Sequence, residues 1–131
     1  IKIRKFNRDM IIKLLKKSPK WDNQFTFFDC NKNLKPSWFS IPLLINKRYL
    51  KFKDTYLKRL EKNKIETRPI ISGNFINQPA IKLHKFKFKK KNFKNSQEIE
   101  DRGFFIGLPT KILDSSKINK ITNLLLNVNN F

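Results

Sequence analysis

The chain has 131 residues and carries 30 lysine and arginine residues against 10 aspartate and glutamate residues, a formal net charge of +20 at pH 7. Hydrophobic residues make up 39% of it, enough for the core of one modest domain. The single cysteine excludes an internal disulfide, and the single histidine excludes a Cys/His zinc site. No apolar run is long enough to span a membrane and no signal-peptide pattern opens the chain, so we expect a cytoplasmic protein.

The positive charge has two explanations. Basic residues that gather on one face would bind phosphate backbones without sequence preference. The chain is also rich in Lys, Asn, Ile and Phe and poor in Ala, Gly and Val. That composition is expected when mutation enriches A and T in codons, and it raises the lysine count without any polyanionic partner. We favour this second explanation.

The first quarter of the chain predicts a helix followed by a strand. Apolar residues recur at three- and four-residue spacing over residues 3–17, which predicts a helix that packs its stripe on the core. Ser18 and Pro19 end this helix, because the residue before a proline is biased away from helical conformation. The aromatic run at 25–28 then predicts a short strand.

The segment Pro36–Ile45 is bulky and uncharged, which predicts a buried strand. Trp38 and Phe39 are interpreted as core residues. Pro42 has no backbone N–H to donate, so we expect this strand to lie at a sheet edge or to be bulged there.

The middle of the chain predicts a helix, a strand and a tight turn. Residues 47–63 place aromatic and leucine side chains on one face, typical of an amphipathic helix. The β-branched pair Ile70 and Ile71 predicts a strand. Ser72-Gly73-Asn74 predicts a turn, because glycine takes positive φ without steric cost and asparagine tolerates it. Pro79 suits the first turn of a short helix.

The remaining segments are shorter. Lys85–Asn95 alternates lysine and phenylalanine; it is either a strand with one basic and one aromatic face or a solvated loop, and we favour the loop. Asn95 with Glu98 resembles a capping box that starts a helix reaching Asp101. A strand over 103–107 follows, and Ser115 or Ser116 is expected to cap the last helix.

The chain shows no complete catalytic set. Phosphate-binding glycine loops, a nucleophile elbow and a close pair of carboxylates are all missing from the sequence. His84 is expected to be exposed beside the basic loop. We therefore predict no catalytic residue and no metal ligand.

Three segments occur in a familiar order: Pro36–Pro42, Ile65–Ala80 and Asn95–Gly107. Their sequences, PSWFSIP, IETRPIISGNFINQPA and NSQEIEDRGFFIG, resemble motifs of the DegT/DnrJ/StrS-type aminotransferases that act on nucleotide-linked sugars. The Gly73-Asn74 and Phe104-Phe105 forms are most similar to the branch of 4-keto-6-deoxy sugar 3-dehydratases.

The resemblance covers only the C-terminal domain of that family. It implies an α+β (α/β sandwich-like) fold over 1–131, a short sheet with helices packed on it. Pyridoxal phosphate (PLP) and the catalytic lysine or histidine would belong to a preceding domain, so the fragment alone would bind no cofactor and catalyse nothing. The chain starts at Ile1 rather than Met, so we expect it to begin inside a longer reading frame, although processing or trimming would give the same first residue.

The resemblance also implies a partner and a role. The full-length parent would be a homodimer that uses a nucleotide-linked keto-deoxysugar in deoxysugar or lipopolysaccharide biosynthesis. It implies six residues that line or support the mouth of the active site: Arg68, Asn74, Phe75, Gln78, Phe104 and Phe105. The alternative is a small basic nucleic-acid-binding module that uses Lys85–Lys94.

Overall fold

The computed structural model of the chain describes residues 1–31, 33–84 and 86–129. The helices of the described part are α1 (Lys2–Lys17), α2 (Lys53–Lys62), α3 (Pro79–Leu83), α4 (Lys94–Arg102) and α5 (Ser115–Leu126). The strands are β1 (Phe25–Phe27), β2 (Ser40–Ile45), β3 (Thr67–Arg68) and β4 (Gly103–Gly107). Short 3₁₀ segments at Lys47–Phe52, Phe75–Asn77 and Lys90–Phe93 precede α2, α3 and α4.

The four strands form one antiparallel sheet in the order β1-β2-β4-β3. Side chains alternate across a strand, so every second residue of β2 and β4 faces the core. These inner-face residues are each at most 2% exposed: Ile41, Leu43, Ile45, Phe104 and Ile106. The predicted α+β fold, a short sheet with helices packed on it, is confirmed.

Helices α1, α2 and α5 cover the inner face of the sheet because each carries an apolar stripe. Ile11 and Leu15 of α1, Leu60 of α2 and Ile118 and Leu125 of α5 are buried in one hydrophobic cluster with the inner-face strand residues. The amphipathic spacing in the sequence predicted these stripes.

The buried Asn7 ties α1 to the loop that precedes α5. Its amide nitrogen donates to the carbonyl of Lys111 at 2.9 Å, and its oxygen accepts from the backbone N–H of Leu113 at 3.1 Å. A buried amide costs free energy unless it is hydrogen-bonded, and these bonds satisfy both of its ends.

The outer face of the sheet is covered by α4 and by the segment between β3 and α3. The close approach requires a glycine: a Cβ at Gly103 would lie 2.3 Å from the carbonyl oxygen of Ile99 and 2.8 Å from Cδ1 of Ile70. Because Gly103 has no side chain, Ile70 and the end of α4 can pack closely against β4.

The expectation that Pro42 marks an edge or a bulge is wrong. β2 lies inside the sheet, and its register with β4 is continuous from Ser40 opposite Gly107 to Leu44 opposite Gly103. Pro42 is tolerated because β1 ends at Phe27, opposite Leu43, so no β1 residue lies opposite the proline.

The third strand lies before Pro69 rather than after it. Thr67 and Arg68 pair with β4, whereas Ile70 and Ile71 lie in the loop beyond the proline. The proline cannot donate to a ladder, and the chain leaves the sheet there. The tight turn is confirmed, but Ser72 (φ 60°) shares the positive φ with Gly73 (φ 52°), and Asn74 has a negative φ.

Both predicted helix caps are wrong. Phe93 precedes α4 without a side-chain cap, and Asn95 lies inside the helix. Asp114 caps α5 in place of Ser115 or Ser116, and its carboxylate accepts from the backbone N–H of Lys117 at 2.8 Å. An aspartate is a strong N-cap, and here it stands one residue before the serines.

The described part of the lysine–phenylalanine segment forms no strand: residues 86–89 are irregular and 90–93 form the 3₁₀ segment. Lys85 itself lies outside the described residues. Among the helices of the described ranges, none is long and apolar enough to cross a membrane.

Candidate functional site

A cleft of about 750 Å³ opens where β3 and the end of β4 meet α1 and α5. Its apolar lining includes Phe39, Phe105 and Leu108. Its charged lining, within the described residues, is five basic side chains and one carboxylate: Arg4, Lys64, Arg68, Lys117, Lys120 and Glu66. An apolar surface ringed by cations suits an anionic ligand that also has a flat or hydrophobic part.

Arg68 is positioned by the pairing of β3 with β4, where it lies opposite Phe105. Its Nε and Nη2 both donate to Oε1 of Glu66, at 2.8 and 2.5 Å. Both side chains are about two-thirds exposed, at 66% and 64%. An ion pair this exposed is weak, so an anionic ligand can replace Glu66 as the partner of the guanidinium.

Phe105 forms an edge-to-face pair with Phe39, with ring centroids 5.3 Å apart. The prediction that Phe39 is a core residue is wrong: it is 56% exposed and precedes the first residue of β2. Trp38 is only partly buried. The guanidinium of Arg8 lies over its ring, 4.2 Å from the ring centroid. The aromatic pair gives the cleft a surface on which a planar ring can pack.

The turn between β3 and α3 carries three of the predicted site residues. Asn74 is 1% exposed, and its amide nitrogen donates to Oε1 of Gln97 at 3.0 Å. Gln78 donates to the carbonyl oxygen of Ser72 at 3.1 Å and so closes the turn. Phe75 is 57% exposed. None of the three lines the cleft, so the structure places them as a second group on the outer face of the sheet.

Phe104 lies in the core. Its ring packs against Phe25 and Tyr56, with centroids 6.0 and 6.2 Å away, and it is 1% exposed. Side chains alternate along a strand, so Phe104 faces the core and Phe105 faces the opposite side of the sheet. Phe104 can therefore contribute to a site only by packing under the strand that carries Phe105. Of the six predicted residues, Arg68 and Phe105 lie together in the cleft.

Sequence reasoning missed most of the cleft lining, including Phe39 and Glu66 beside Arg68. Glu66 could have been predicted to lie beside Arg68, because residues two apart in an extended chain lie on the same face. Phe39 had none: it continues the alternation of Ile41 and Leu43, and only the start of β2 at Ser40 frees it from the core.

The basic segment after α3 is exposed. Phe86 is 59% exposed, and Phe88 packs edge-on against Phe93 with centroids 6.0 Å apart. No carboxylate occurs between Lys82 and Lys94. Because the described residues form no strand here, the segment does not present one basic and one aromatic sheet face.

Lys53, at the start of α2, has a pKa that burial lowers below its usual value. Its ammonium donates to the carbonyl oxygen of Asp101 at 2.6 Å. The described residues hold no cluster of three or more His, Cys, Asp or Glu side chains suited to a metal ion.

Comparison by sequence gives no match to a family profile or to a curated protein. Comparison of structures gives clear matches. A GDP-4-keto-6-deoxy-D-mannose 3-dehydratase of Escherichia coli with bound hydrated PLP superimposes with a TM-score of 0.72 and 22% identity, over 95% of this chain and 30% of that one. The same kind of enzyme with bound GDP-perosamine gives a TM-score of 0.73 and 23% identity, over 95% and 30%.

A Streptococcus pneumoniae protein assigned as a sugar aminotransferase, in its PLP form, gives a TM-score of 0.75 and 15% identity, over 97% of this chain and 30% of that one. The chain thus spans about a third of the length of these proteins. At such identities the likeness establishes the fold. The chain has the fold of one domain-sized part of PLP-dependent sugar dehydratases and aminotransferases.

Proposed function

We propose that the chain is the C-terminal, substrate-closing domain of a PLP-dependent nucleotide-sugar aminotransferase or 3-dehydratase. The observation that carries the proposal is the shared fold over 95% of the chain with enzymes whose solved forms hold PLP and a GDP-linked sugar. The three motif segments resemble the same group of enzymes and support it independently of the fold. The parent is a cytoplasmic enzyme of deoxysugar or lipopolysaccharide biosynthesis.

The proposal divides the work between two parts of the parent. When bound to the preceding domain, PLP supplies an electron sink for the chemistry at the sugar. The residues of this chain bind and orient the nucleotide sugar. Arg68 provides a bidentate donor for the diphosphate, and the rings of Phe39 and Phe105 pack against a planar or apolar part of the ligand.

The parent is proposed to act as a homodimer. Large apolar side chains stand exposed on the described surface around the turn, including Ile71 at 77%, Phe75 at 57% and Leu83 at 78%. Exposed apolar residues grouped in this way mark surfaces that another protein part covers. The preceding domain or a second subunit would cover them. The turn would then lie at the mouth of the active site formed with that part, where the resemblance implies that Phe75 and Gln78 meet the nucleotide sugar.

The test starts with the DNA upstream of the codon for Ile1. An in-frame extension would be expressed together with this chain, and the product assayed for bound PLP by its absorbance. Turnover would be followed with GDP-, dTDP- and UDP-linked 4-keto-6-deoxy sugars, with and without an amino donor. We expect bound PLP and turnover in the parent and neither in the 131-residue chain. A parent without PLP would refute the proposal.

A further inference from the structure

We infer that Gln97 of α4 is a positioning residue that holds the turn 72–78 in the conformation in which it meets the nucleotide sugar. The identity of the ligand rests on the proposed function, and the role of Gln97 rests on its hydrogen bonds to Asn74, Asn77 and Asp101. Gln97 does not line the cleft, and no motif singled it out. It acts through the asparagines that it binds.

The carboxamide of Gln97 is the centre of a hydrogen-bond network between α4 and the turn. Its Oε1 accepts from Nδ2 of Asn74 at 3.0 Å and from Nδ2 of Asn77 at 2.9 Å. Its Nε2 donates to Oδ1 of Asp101, one helical turn later, at 2.8 Å. The bond to Asp101 fixes the orientation of the carboxamide, so its oxygen faces the turn.

The network constrains the turn strongly because Asn74 is buried. With Asn74 at 1% exposure, water cannot replace Gln97 as the acceptor for its amide nitrogen. The Oδ1 of Asn74 is also buried and has no hydrogen-bond partner among the described residues, so the bond from Nδ2 to Gln97 is the contact that holds this side chain. Removing the acceptor leaves a buried donor unpaired. Opening the turn then becomes less costly, because water can bond this donor in the open state.

The backbone of the turn reinforces the same contact. Gly73 approaches α4 so closely that an added Cβ would lie 2.9 Å from Cβ of Glu100. The exposed Phe75 and the partly buried Gln78, two members of the predicted site, lie in the same turn. A loss of the anchor at Gln97 therefore displaces the side chains proposed to meet the ligand, which raises KM more than it lowers kcat.

The test uses three variants. Gln97→Leu keeps a good helix former at this position but removes both hydrogen-bonding groups. The double variant Gln97→Glu with Asp101→Asn restores the acceptor for both asparagines and reverses the donor and acceptor of the helical pair. Asn95→Leu, an exposed amide on the same helix, is the control.

Hydrogen exchange is measured in the 131-residue chain, and KM and kcat in the parent. Gln97→Leu is expected to speed hydrogen exchange at residues 72–78. It is also expected to raise KM about tenfold, which corresponds to one lost hydrogen bond, with a smaller change in kcat. The double variant is expected to return both quantities close to wild type, and Asn95→Leu to change neither.

Two results overturn the inference: unchanged exchange at 72–78 in Gln97→Leu, or an unchanged KM in a parent that turns over. Failure of the proposed function looks different, because the wild-type parent would then lack PLP and turnover altogether. In that case the exchange measurement alone decides whether Gln97 holds the turn.

Discussion

Arg68 lies directly opposite Phe105 in the antiparallel pairing of β3 and β4, next to the edge-to-face pair of Phe105 and Phe39. A cation and an aromatic surface are thus held side by side by a two-residue strand. Because the only ion pair that the described residues show for Arg68 is the exposed one with Glu66, the guanidinium can exchange partners at low cost.

Arg68→Ala in the parent is expected to raise KM for the nucleotide sugar by about 10- to 100-fold, the size of a lost charge-assisted hydrogen bond. Its effect on the unfolding free energy of the chain should stay within about 0.5 kcal/mol, since the ion pair is exposed. Arg48→Ala is the control, because Arg48 pairs with Asp22 at 2.8 Å on the surface and does not line the cleft. Equal KM values in the two variants would contradict the assignment.

Gly73→Ala is expected to destabilise the chain by about 1–2 kcal/mol from the left-handed backbone alone. The measured loss of unfolding free energy should exceed this value, because the added Cβ would also lie only 2.9 Å from Cβ of Glu100. Gly107→Ala is the matched control, since its Cβ would meet only Oε2 of Glu66, at 3.8 Å. Chemical unfolding of both variants tests this, and similar losses would argue against the close packing of the turn on α4.

Glu98 gives the chain a pH-dependent contribution to stability. Hydrogen bonds from Lys47 and Arg102 lower the pKa of its carboxyl below the usual value. A group whose pKa is lower in the folded state stabilises the fold above its unfolded pKa, about 4.3, and loses that contribution as the pH falls through the folded value.

Glu98→Gln is therefore expected to lower Tm at pH 7 and to converge with wild type as the pH falls below about 4. Thermal unfolding between pH 7 and pH 3 measures the difference. Asp29→Asn, in an exposed loop, serves as the control for the charge change and should leave Tm at pH 7 unchanged. A Tm difference that is the same at every pH would show that Glu98 acts by packing instead of charge.

The lysine-rich segment is expected to bind nucleic acid weakly. Because the described residues of this segment form no strand, their phenylalanines are not arranged as a stacking platform, and charge alone gives an affinity that falls with salt. A fluorescent oligo(dT) titrated with the 131-residue chain at several salt concentrations measures this. Phe86→Ala should bind as wild type does. Tight binding that this variant loses would favour a nucleic-acid-binding module.

Much of the fold could be predicted because it depends on local periodicity. The stripes of α1, α2 and α5 and the apolar run of β4 follow from the spacing of their own residues. The position of β3 could not be predicted in this way. Ile70 and Ile71 have the better strand propensity, but Thr67 and Arg68 lie before Pro69 and so retain the backbone groups that pair with β4.

The candidate site was predictable only in part, for the same reason. Arg68 and Phe105 are 37 positions apart in sequence and meet because β3 pairs with β4, which a single sequence does not reveal. The resemblance to known motifs supplied both residues, whereas Glu66 and Phe39 fell outside its predicted set. Phe104 could have been separated from Phe105 by strand alternation alone.

The bonds of Asn7 to the loop before α5 have a consequence for how the chain acquires its structure. These bonds join residues 104 and 106 positions apart, and α1 packs against α5 in the same cluster. Contacts of such long range form late, because loop closure must come first. On the ribosome, α1 would leave the exit tunnel long before its partner helix is made. Its apolar stripe would stay open to chaperones until synthesis reaches α5.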